Sequence, residues 1–260
     1  RGLGDVYKRQ EVLLKAVTFA IELDEFYSPT DLRKANALLE MAADRAQSLK
    51  RQQRPWESEK ERVVRGYYSS IDGSPQPYVL EIPDSWDPSR PSPLFVWLHG
   101  RGDKTTDLHF IYQRMKSPGT LRVDNAVVVH PFGRHCMGFK SAGEVDVLEV
   151  VEQVQRQYSI DPDRIVLMGF SMGGAGVWHL GAHYTDQWVA MSPGAGFAET
   201  AQYNRLTPDR YPADFEQTLW KVYDCPNYAR NLLNLPVVAY SGEKDKQIQA
   251  ARVMESALAR

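Results

Sequence analysis

The 260-residue sequence is poor in cysteine, in long apolar runs and in excess charge of either sign. Its two cysteines, Cys136 and Cys225, are too few for a disulfide framework. No apolar run approaches the roughly 20 residues that a membrane-spanning helix requires. The net charge of −2 gives no electrostatic reason to bind nucleic acid or a membrane surface, and we expect neither as a partner. What remains is an ordinary globular composition, with 43% apolar and 25% charged residues.

An initiating methionine is also missing. The first residues, RGLGDVYKRQ (1–10), show no helical or strand periodicity. Residues 5–10 back-translate to a sequence that resembles a transposon end used to prepare sequencing libraries. We therefore interpret residues 1–10 as an adapter-derived scar and expect the true N-terminus to be absent. This end of the chain gives no information on localisation.

Residues 11–55 predict two helices. Apolar residues recur every three or four positions over 12–21 and again over 35–49. The segment SPTD (28–31) between them has the serine, proline and acid typical of a helix start. We expect a short helical N-terminal extension that packs against the domain behind it. A separate interaction module would show the same pattern.

From residue 60 to residue 260 the pattern changes to strands that alternate with helices. Two strands, within 63–71 and 78–82, are joined by a turn at 72–75. An amphipathic helix is predicted over 143–158. Five buried strands are predicted at 94–99, 126–132, 164–170, 188–193 and 236–242. This alternation predicts an α/β fold with a mostly parallel sheet flanked by helices.

A serine between two glycines lies at the end of the third of these five strands. In MGFSMGG (168–174), Ser171 has Gly169 two positions before it and Gly173 two positions after it. The pattern G-x-S-x-G between a strand and a helix is typical of a nucleophile elbow, a sharp turn that holds a serine in a strained conformation. Side chains at the two glycine positions would clash with the turn. The alternative is a glycine-rich turn without chemistry.

Two further segments supply other parts of an acyl-transfer site. LHGRGD (98–103) follows a strand, and we expect the backbone N–H of Arg101 to form an oxyanion hole with that of Met172. We interpret His99 as a structural residue that shapes this loop. YSGEKD (240–245) follows the last predicted strand, and Asp245 is the acid expected to orient a catalytic histidine. Glu243 is the alternative acid.

No histidine follows this acid in the chain, although the expected order is serine, acid, histidine. We interpret all six histidines as structural or surface residues, with His130 and His135 as possible pocket lining. The pair His179 and His183 has helical spacing but lacks the glutamate and third ligand of zinc motifs, so we expect no metal. We expect the catalytic histidine to lie beyond Arg260 and the chain as given to be inactive. The six are His99, His109, His130, His135, His179 and His183.

Together these motifs resemble the catalytic domain of α/β-hydrolases of the prolyl oligopeptidase-type (S9-like) family, in a bacterial subgroup with an N-terminal extension. The resemblance rests on WLHGRGD, HPFGRHCMGFKSAGEVDV, DPDRIVLMGFSMGGAGVWHL, PGAGFAET and VVAYSGEKDKQ. It covers about residues 60–260, a domain that we expect to be incomplete at its C-terminus. It implies a serine peptidase that works through an acyl-enzyme and needs no cofactor.

Two alternatives stay open beside the peptidase. The elbow and the single-domain plan are shared with feruloyl, acetyl-xylan and polyhydroxyalkanoate esterases, so a carboxylester hydrolase is the first alternative. The fifty residues before the domain are too few for the β-propeller that gates large oligopeptidases, which favours an accessible serine. The second alternative is a non-catalytic binding protein on a hydrolase scaffold, with the N-terminal helices as its partner site.

A substrate pocket is predicted from segments that follow strand ends, where ligands bind in open α/β sheets. Arg134 and Lys140 could bind an acidic or carbohydrate substrate, or they could pair with Glu144, which we favour. We expect a small peptide or ester as the substrate, and the oligomeric state is not predicted. The predicted lining residues are Phe132, Arg134, Phe139, Lys140, Glu144 and Phe197.

Overall fold

The computed structural model describes residues 10–260, and its centre is one twisted sheet. Within these residues the sheet has six strands in the spatial order β1-β2-β4-β3-β5-β6. Pairings β1–β2 and β2–β4 are antiparallel, whereas β4–β3, β3–β5 and β5–β6 are parallel. The predicted mostly parallel α/β sheet is therefore confirmed. The strands are β1 (Glu61–Tyr68), β2 (Pro75–Ile82), β3 (Ser92–Leu98), β4 (Val127–Pro131), β5 (Ile160–Phe170) and β6 (Ala190–Gly194).

Helices flank this sheet, and short 3-10 turns at 55–57, 185–187, 208–210 and 225–234 complete the chain. The helix predicted over 143–158 forms within one residue of its predicted bounds. The helices are α1 (Glu11–Glu22), α2 (Asp31–Lys50), α3 (Asp107–Lys116), α4 (Ala142–Gln157), α5 (Met172–His183), α6 (Thr200–Asn204), α7 (Asp214–Trp220) and α8 (Ile248–Leu258).

Two apolar cores form because neighbouring strand residues point to opposite faces of the sheet. Val63 packs into the core that also holds α4 and α5, while Val64 packs into the core that holds α1, α2 and α3. All five residues of β4 are buried. That burial follows from its central position, since helices cover both faces there.

The N-terminal helices are part of this packing. Leu13 of α1 and Leu38 of α2 are fully buried in a cluster with Val79 of β2 and Ile111 of α3. The expectation that these helices pack against the domain behind them is thus met. The boundaries of the helical extension (11–55) and of the catalytic domain (60–260) stay predictions. Residues 1–9, most of the segment interpreted as an adapter-derived scar, lie outside the described residues.

The prediction of a regular strand at 236–242 is corrected by the structure. The segment runs parallel to β6 but makes two isolated bridges, Met191 with Val237 and Gly194 with Tyr240, rather than a continuous ladder. Pro193 in β6 has no N–H to donate, which interrupts the regular pattern of parallel pairing. The backbone N–H of Ala195 still donates to the carbonyl oxygen of Tyr240 at 2.7 Å. That bond places the loop after residue 240 beside the end of β6.

Candidate active site

Ser171 lies in the sharp turn between β5 and α5. Its backbone has φ 57° and ψ −118°, a sparsely populated conformation for a residue other than glycine. Its N–H donates to the carbonyl oxygen of Gly194 at 2.8 Å, so β6 helps to hold the turn. The side chain is exposed. A strained, exposed serine before a helix has the geometry of a nucleophile elbow.

The glycines on either side of Ser171 allow this turn to form. A Cβ atom at Gly173 would lie 2.0 Å from the carbonyl oxygen of Leu98 and 2.9 Å from that of His99. At Gly169 it would lie 2.7 Å from the carbonyl oxygen of Gly173. Because these neighbours are backbone atoms of β3, of the residue after it and of α5, they cannot rotate away. Glycine is therefore required at both positions for the helix to approach the sheet this closely.

A cavity of about 280 Å³ opens beside Ser171. A larger concavity, about 560 Å³, lies between β1, β2, β4 and residues 118–124, and it holds none of the predicted site residues. We therefore take the smaller cavity as the candidate active site. It is lined by Arg101, Cys136, Met137, Gly138, Lys140, Ser171, Met172, Ala195, Gly196, Phe197, Tyr203 and Gln247.

Two backbone N–H groups at this cavity are available to bind an oxyanion. Within residues 10–260, neither the N–H of Arg101 nor that of Met172 donates a hydrogen bond. Met172 is the first residue of α5, whose N-terminus carries partial positive charge. The loop after β3 lies against the elbow, since a Cβ at Gly100 would be 3.6 Å from the Cβ of Ser171. The Arg101 side chain pairs with Asp103 at 2.7 Å.

Asp245 lies in the turn that leads into α8, two positions before the cavity-lining residue Gln247. Its Oδ1 accepts a hydrogen bond of 2.9 Å from the backbone N–H of Gln247, and Gln247 lines the cavity. Asp245 is half-buried, whereas Glu243, the alternative acid, is exposed. Within the described part of the chain, Oδ2 of Asp245 has no hydrogen-bond partner. The structure thus brings the acid's turn, the serine and the two N–H groups to one end of the sheet.

None of the six histidines, all of which lie in the described residues, lines this cavity. His99 has both ring nitrogens engaged, Nδ1 with the carbonyl oxygen of Gly100 at 2.8 Å and Nε2 with that of Phe132 at 2.9 Å. Burial lowers its pKa. These contacts join the loop after β3 to the residue that follows β4. This is the structural role expected for His99 from the sequence.

The proposal that His130 and His135 line the pocket is not supported. His130 is fully buried, and its Nε2 contacts Oε1 of Glu81 at 2.9 Å, away from the cavity. His135 lies next to the lining residue Cys136 but does not itself line the cavity. The first prediction fails because His130 is the fourth of the five buried residues of β4, so its side chain lies in the interior of the protein and not in the loop after the strand.

Glu144 is also placed differently from the prediction. Its carboxylate accepts hydrogen bonds from Nε2 of His179 and from the hydroxyl of Tyr184, and it does not line the cavity. The hydrogen bond from His179 is the main reason that the pKa of Glu144 is lowered. His183 caps this cluster, with its Nδ1 2.8 Å from the carbonyl oxygen of His179. His179 therefore links α5 to α4, whereas His183 packs against the ring of Tyr228 at 4.0 Å.

Arg134 and Lys140 do not pair with Glu144. Arg134 contacts both carboxylate oxygens of Asp72, at 2.9 and 3.3 Å, and this pairing lowers the pKa of Asp72. Lys140 lines the cavity, with its Nζ 4.6 Å from the ring centre of Phe197. The favoured pairing with Glu144 is therefore wrong for both residues, since histidine and tyrosine already occupy that carboxylate.

Two of the predicted lining residues belong to the core. Phe132 packs against Phe110 of α3, with ring centres 5.1 Å apart. Phe139 is fully buried and packs against His99 at 5.2 Å. Both lie in the segment between β4 and α4, and their rings are buried in the two apolar cores. Of the six predicted lining residues, Lys140 and Phe197 are the two that lie at the cavity.

Several lining residues were not predicted. Tyr203 on α6 packs its ring against Phe197 at 4.7 Å, and Met137 and Cys136 also line the cavity. Cys136 is a free cysteine whose Sγ contacts the carbonyl oxygen of Gly102 at 3.0 Å. The segment that contains Met137 was recognised as following a strand end. Nothing in the spacing of α6 indicated that Tyr203 would turn towards the site.

Stability should depend on pH through His130. Full burial lowers its pKa from 6.5 to about 4, against the opposing effect of Glu81. The unfolded chain then binds the proton more readily than the folded chain between these values, so stability falls as the pH drops from 6.5 towards 4. The loss is about 3 kcal/mol at 1.36 kcal/mol per pKa unit. Glu81, whose pKa is lowered, adds a loss of the same sign below its usual value of 4.5.

The substitution His130→Gln tests this prediction because glutamine retains a donor for Glu81 but does not titrate. Urea unfolding at pH 7 and at pH 4.5 should show a smaller difference in unfolding free energy for the variant than for the wild type. His183→Gln, at a partly exposed histidine, is the control and should retain the wild-type difference. An unchanged pH dependence in His130→Gln would assign the acid sensitivity to other groups.

Comparison with known proteins agrees with this geometry. Residues 139–259 match the model of the prolyl oligopeptidase family. A bifunctional acetylxylan esterase/xylanase of Neocallimastix patriciarum is 31% identical over 111 residues, which are 40% of this chain and 16% of that protein. The chain therefore spans a small part of this curated relative.

Solved structures show the same fold. An acylaminoacyl peptidase of Pyrococcus horikoshii aligns with a TM-score of 0.55 at 18% identity, over 79% of this chain and 36% of its own. A ferulic acid esterase aligns with a TM-score of 0.53 at 14% identity, over 76% of this chain and 86% of its own. At such identities the likeness establishes the fold. Among the described residues, no helix combines the length and apolar character needed to cross a membrane.

The fold and the elbow geometry together define an α/β-hydrolase domain. The likeness to the prolyl oligopeptidase family that the sequence motifs predicted is found over residues 139–259 of this domain.

Proposed function

We propose that the protein is a serine hydrolase that cleaves a peptide or ester bond through an acyl-enzyme on Ser171. The observation behind this is the position of Ser171, strained and exposed at a cavity that also presents the backbone N–H groups of Arg101 and Met172. A turn with a purely structural role would not require an exposed hydroxyl beside two backbone N–H groups that donate no hydrogen bond. Oxyanion stabilisation by two such donors lowers an acyl-transfer barrier by several kcal/mol.

In this mechanism Oγ of Ser171 attacks the substrate carbonyl while a base takes its proton. The negative charge on the tetrahedral intermediate accepts hydrogen bonds from the N–H groups of Arg101 and Met172. The protonated base then donates its proton to the leaving group, and the acyl-enzyme forms. Water, activated by the same base, attacks the acyl carbonyl and releases Ser171.

The base in this proposal is a histidine outside the described residues. None of the six histidines of residues 10–260 lines the cavity. Asp245 retains Oδ2 without a hydrogen-bond partner in this part of the chain, and that oxygen is available to accept an imidazole N–H. In this arrangement Asp245 orients the ring and stabilises its charged form.

The substrate follows from the family and from the cavity. We place a prolyl oligopeptidase-like peptidase first because of the family match over residues 139–259. A carboxylester hydrolase is the second candidate, favoured by the acetylxylan esterase activity in the name of the curated relative. A cavity of about 280 Å³ walled by Met137, Phe197 and Tyr203 accommodates a small acyl group or amino-acid side chain.

A substrate panel on the full-length protein separates these candidates. Hydrolysis of prolyl p-nitroanilides is the result expected for the peptidase, whereas hydrolysis of p-nitrophenyl esters alone would assign an esterase. Labelling by a neutral fluorophosphonate reports the reactivity of the serine without regard to substrate. Absence of both turnover and labelling would contradict a hydrolase and favour a binding protein on this scaffold.

A further inference from the structure

Lys140 presents an unpaired ammonium group to the same cavity as Ser171. Its Nζ lies 4.6 Å from the ring centre of Phe197 and 4.6 Å from that of Tyr223. Within residues 10–260, the ammonium makes no hydrogen bond and no ion pair. It therefore keeps three N–H donors that no described residue satisfies.

The two aromatic rings hold the lysine side chain in place. Their faces attract the cation, but they do not accept strong hydrogen bonds from it. Burial of the ammonium lowers the pKa of Lys140. A partly desolvated charge without a hydrogen-bonding partner is costly, and an acceptor brought into the cavity by a ligand relieves that cost.

The acidic groups near Lys140 do not neutralise it directly. Asp224 acts on it at a distance beyond ion-pair range, and Oδ1 of Asp224 accepts hydrogen bonds from the N–H and the hydroxyl of Thr200 at 2.8 and 2.7 Å. The residues that line the cavity include no aspartate or glutamate. The side chain of Arg101, the other cationic lining residue, is paired with Asp103. Among the described residues that line the cavity, Lys140 is thus the free cation.

We propose that Lys140 binds an anionic group of the substrate, a carboxylate, while the scissile carbonyl lies at Ser171. This inference rests on the proposed function and narrows its substrate class to esters or peptides with a negative charge close to the reacting bond. An ammonium and a carboxylate at such a partly buried site form a charge-assisted hydrogen bond, which is stronger than a neutral one. A carboxamide of the same shape gains much less.

Rigid pairs of esters test this on the full-length protein. The first pair, 4-acetoxybenzoate and 4-acetoxybenzamide, varies the charge on the leaving group. The second, monomethyl terephthalate and methyl 4-carbamoylbenzoate, varies it on the acyl group. We expect kcat/KM to favour the carboxylate in at least one pair by about tenfold, in line with a hydrogen bond to a charged group.

Variants of Lys140 assign that preference. Lys140→Gln should reduce the carboxylate-to-carboxamide ratio to about one, and Lys140→Arg should retain most of it. Lys116→Gln is the matched control, because that lysine also lies over a ring, at 5.9 Å from Tyr112, but on α3 away from the cavity. A ratio near one in both wild-type pairs, or an unchanged ratio in Lys140→Gln, would overturn the proposal.

A binding measurement keeps this subsite separate from the hydrolase proposal. If the full-length protein is neither labelled by a fluorophosphonate nor active, the proposed function fails while the subsite is still measurable. Calorimetry on Ser171→Ala then compares 4-carbamoylbenzoate with terephthalamide. Tighter binding of the carboxylate, lost in the Ser171→Ala/Lys140→Gln double variant, supports the subsite, and equal binding of the two ligands contradicts it.

Discussion

Replacement of Ser171 by alanine should lower kcat/KM of the full-length protein by about five orders of magnitude and abolish fluorophosphonate labelling. Loss of a triad nucleophile removes the covalent route and leaves the smaller acceleration that the oxyanion donors and binding provide. The fold should survive because the Ser171 side chain is exposed and makes no hydrogen bond within residues 10–260. Labelling and turnover of the variant, compared with the wild type under the same conditions, measure this effect.

Ser141 offers a matched control for that experiment. It precedes α4 with φ 52° and ψ −121°, almost the conformation of Ser171, and it is also exposed. Unlike Ser171, it does not line the cavity with the N–H groups of Arg101 and Met172. Ser141→Ala should therefore keep both labelling and turnover. If Ser171→Ala retained labelling, the nucleophile would be a different residue and the proposed mechanism would be wrong.

The comparison of these two serines shows what a local pattern can and cannot predict. G-x-S-x-G, with a strand before it and a helix after it, indicated the turn at Ser171 because sterics within a few residues determine that turn. Ser141 has Phe139 instead of glycine two positions before it. It therefore does not match the G-x-S-x-G pattern. Strained backbone alone therefore does not identify a nucleophile; its position at the cavity distinguishes Ser171.

The lining of the cavity was less predictable because it depends on contacts between distant segments. Arg134 pairs with the carboxylate of Asp72, which lies 62 positions away in the turn between β1 and β2. Tyr203 reaches the cavity through the short helix α6, whose placement depends on packing against α8. Periodicity reports which face of an element is apolar, but it does not report which loops meet above the sheet. The strand ends predicted the location of the site, and the tertiary packing determined its walls.

Replacement of Gly173 by alanine should have the largest effect on stability, a loss of at least about 3 kcal/mol. Alanine is the better helix former by about 1 kcal/mol, so propensity alone would predict stabilisation of α5. The new Cβ, however, would lie 2.0 Å from the carbonyl oxygen of Leu98 and 2.5 Å from its carbonyl carbon. Overpacking against movable side chains typically costs 1–3 kcal/mol, and here backbone atoms of a central strand would have to move.

Gly100→Ala is the matched control because it adds the same methyl group at the same junction. Its Cβ would have its nearest neighbours at 3.6 Å, an ordinary contact distance, so its unfolding free energy in urea should stay close to that of the wild type. Wild-type stability of Gly173→Ala would contradict the close approach of α5 to β3.

That approach also sets the distance between the N–H groups of Met172 and Arg101, because Met172 begins α5 and Arg101 follows β3. Gly173→Ala should therefore also slow fluorophosphonate labelling under conditions where the variant remains folded, whereas Ser171→Ala abolishes labelling without loss of stability. Reactivity falls in both variants, but stability falls only in Gly173→Ala, and this difference separates the architecture of the elbow from its chemistry.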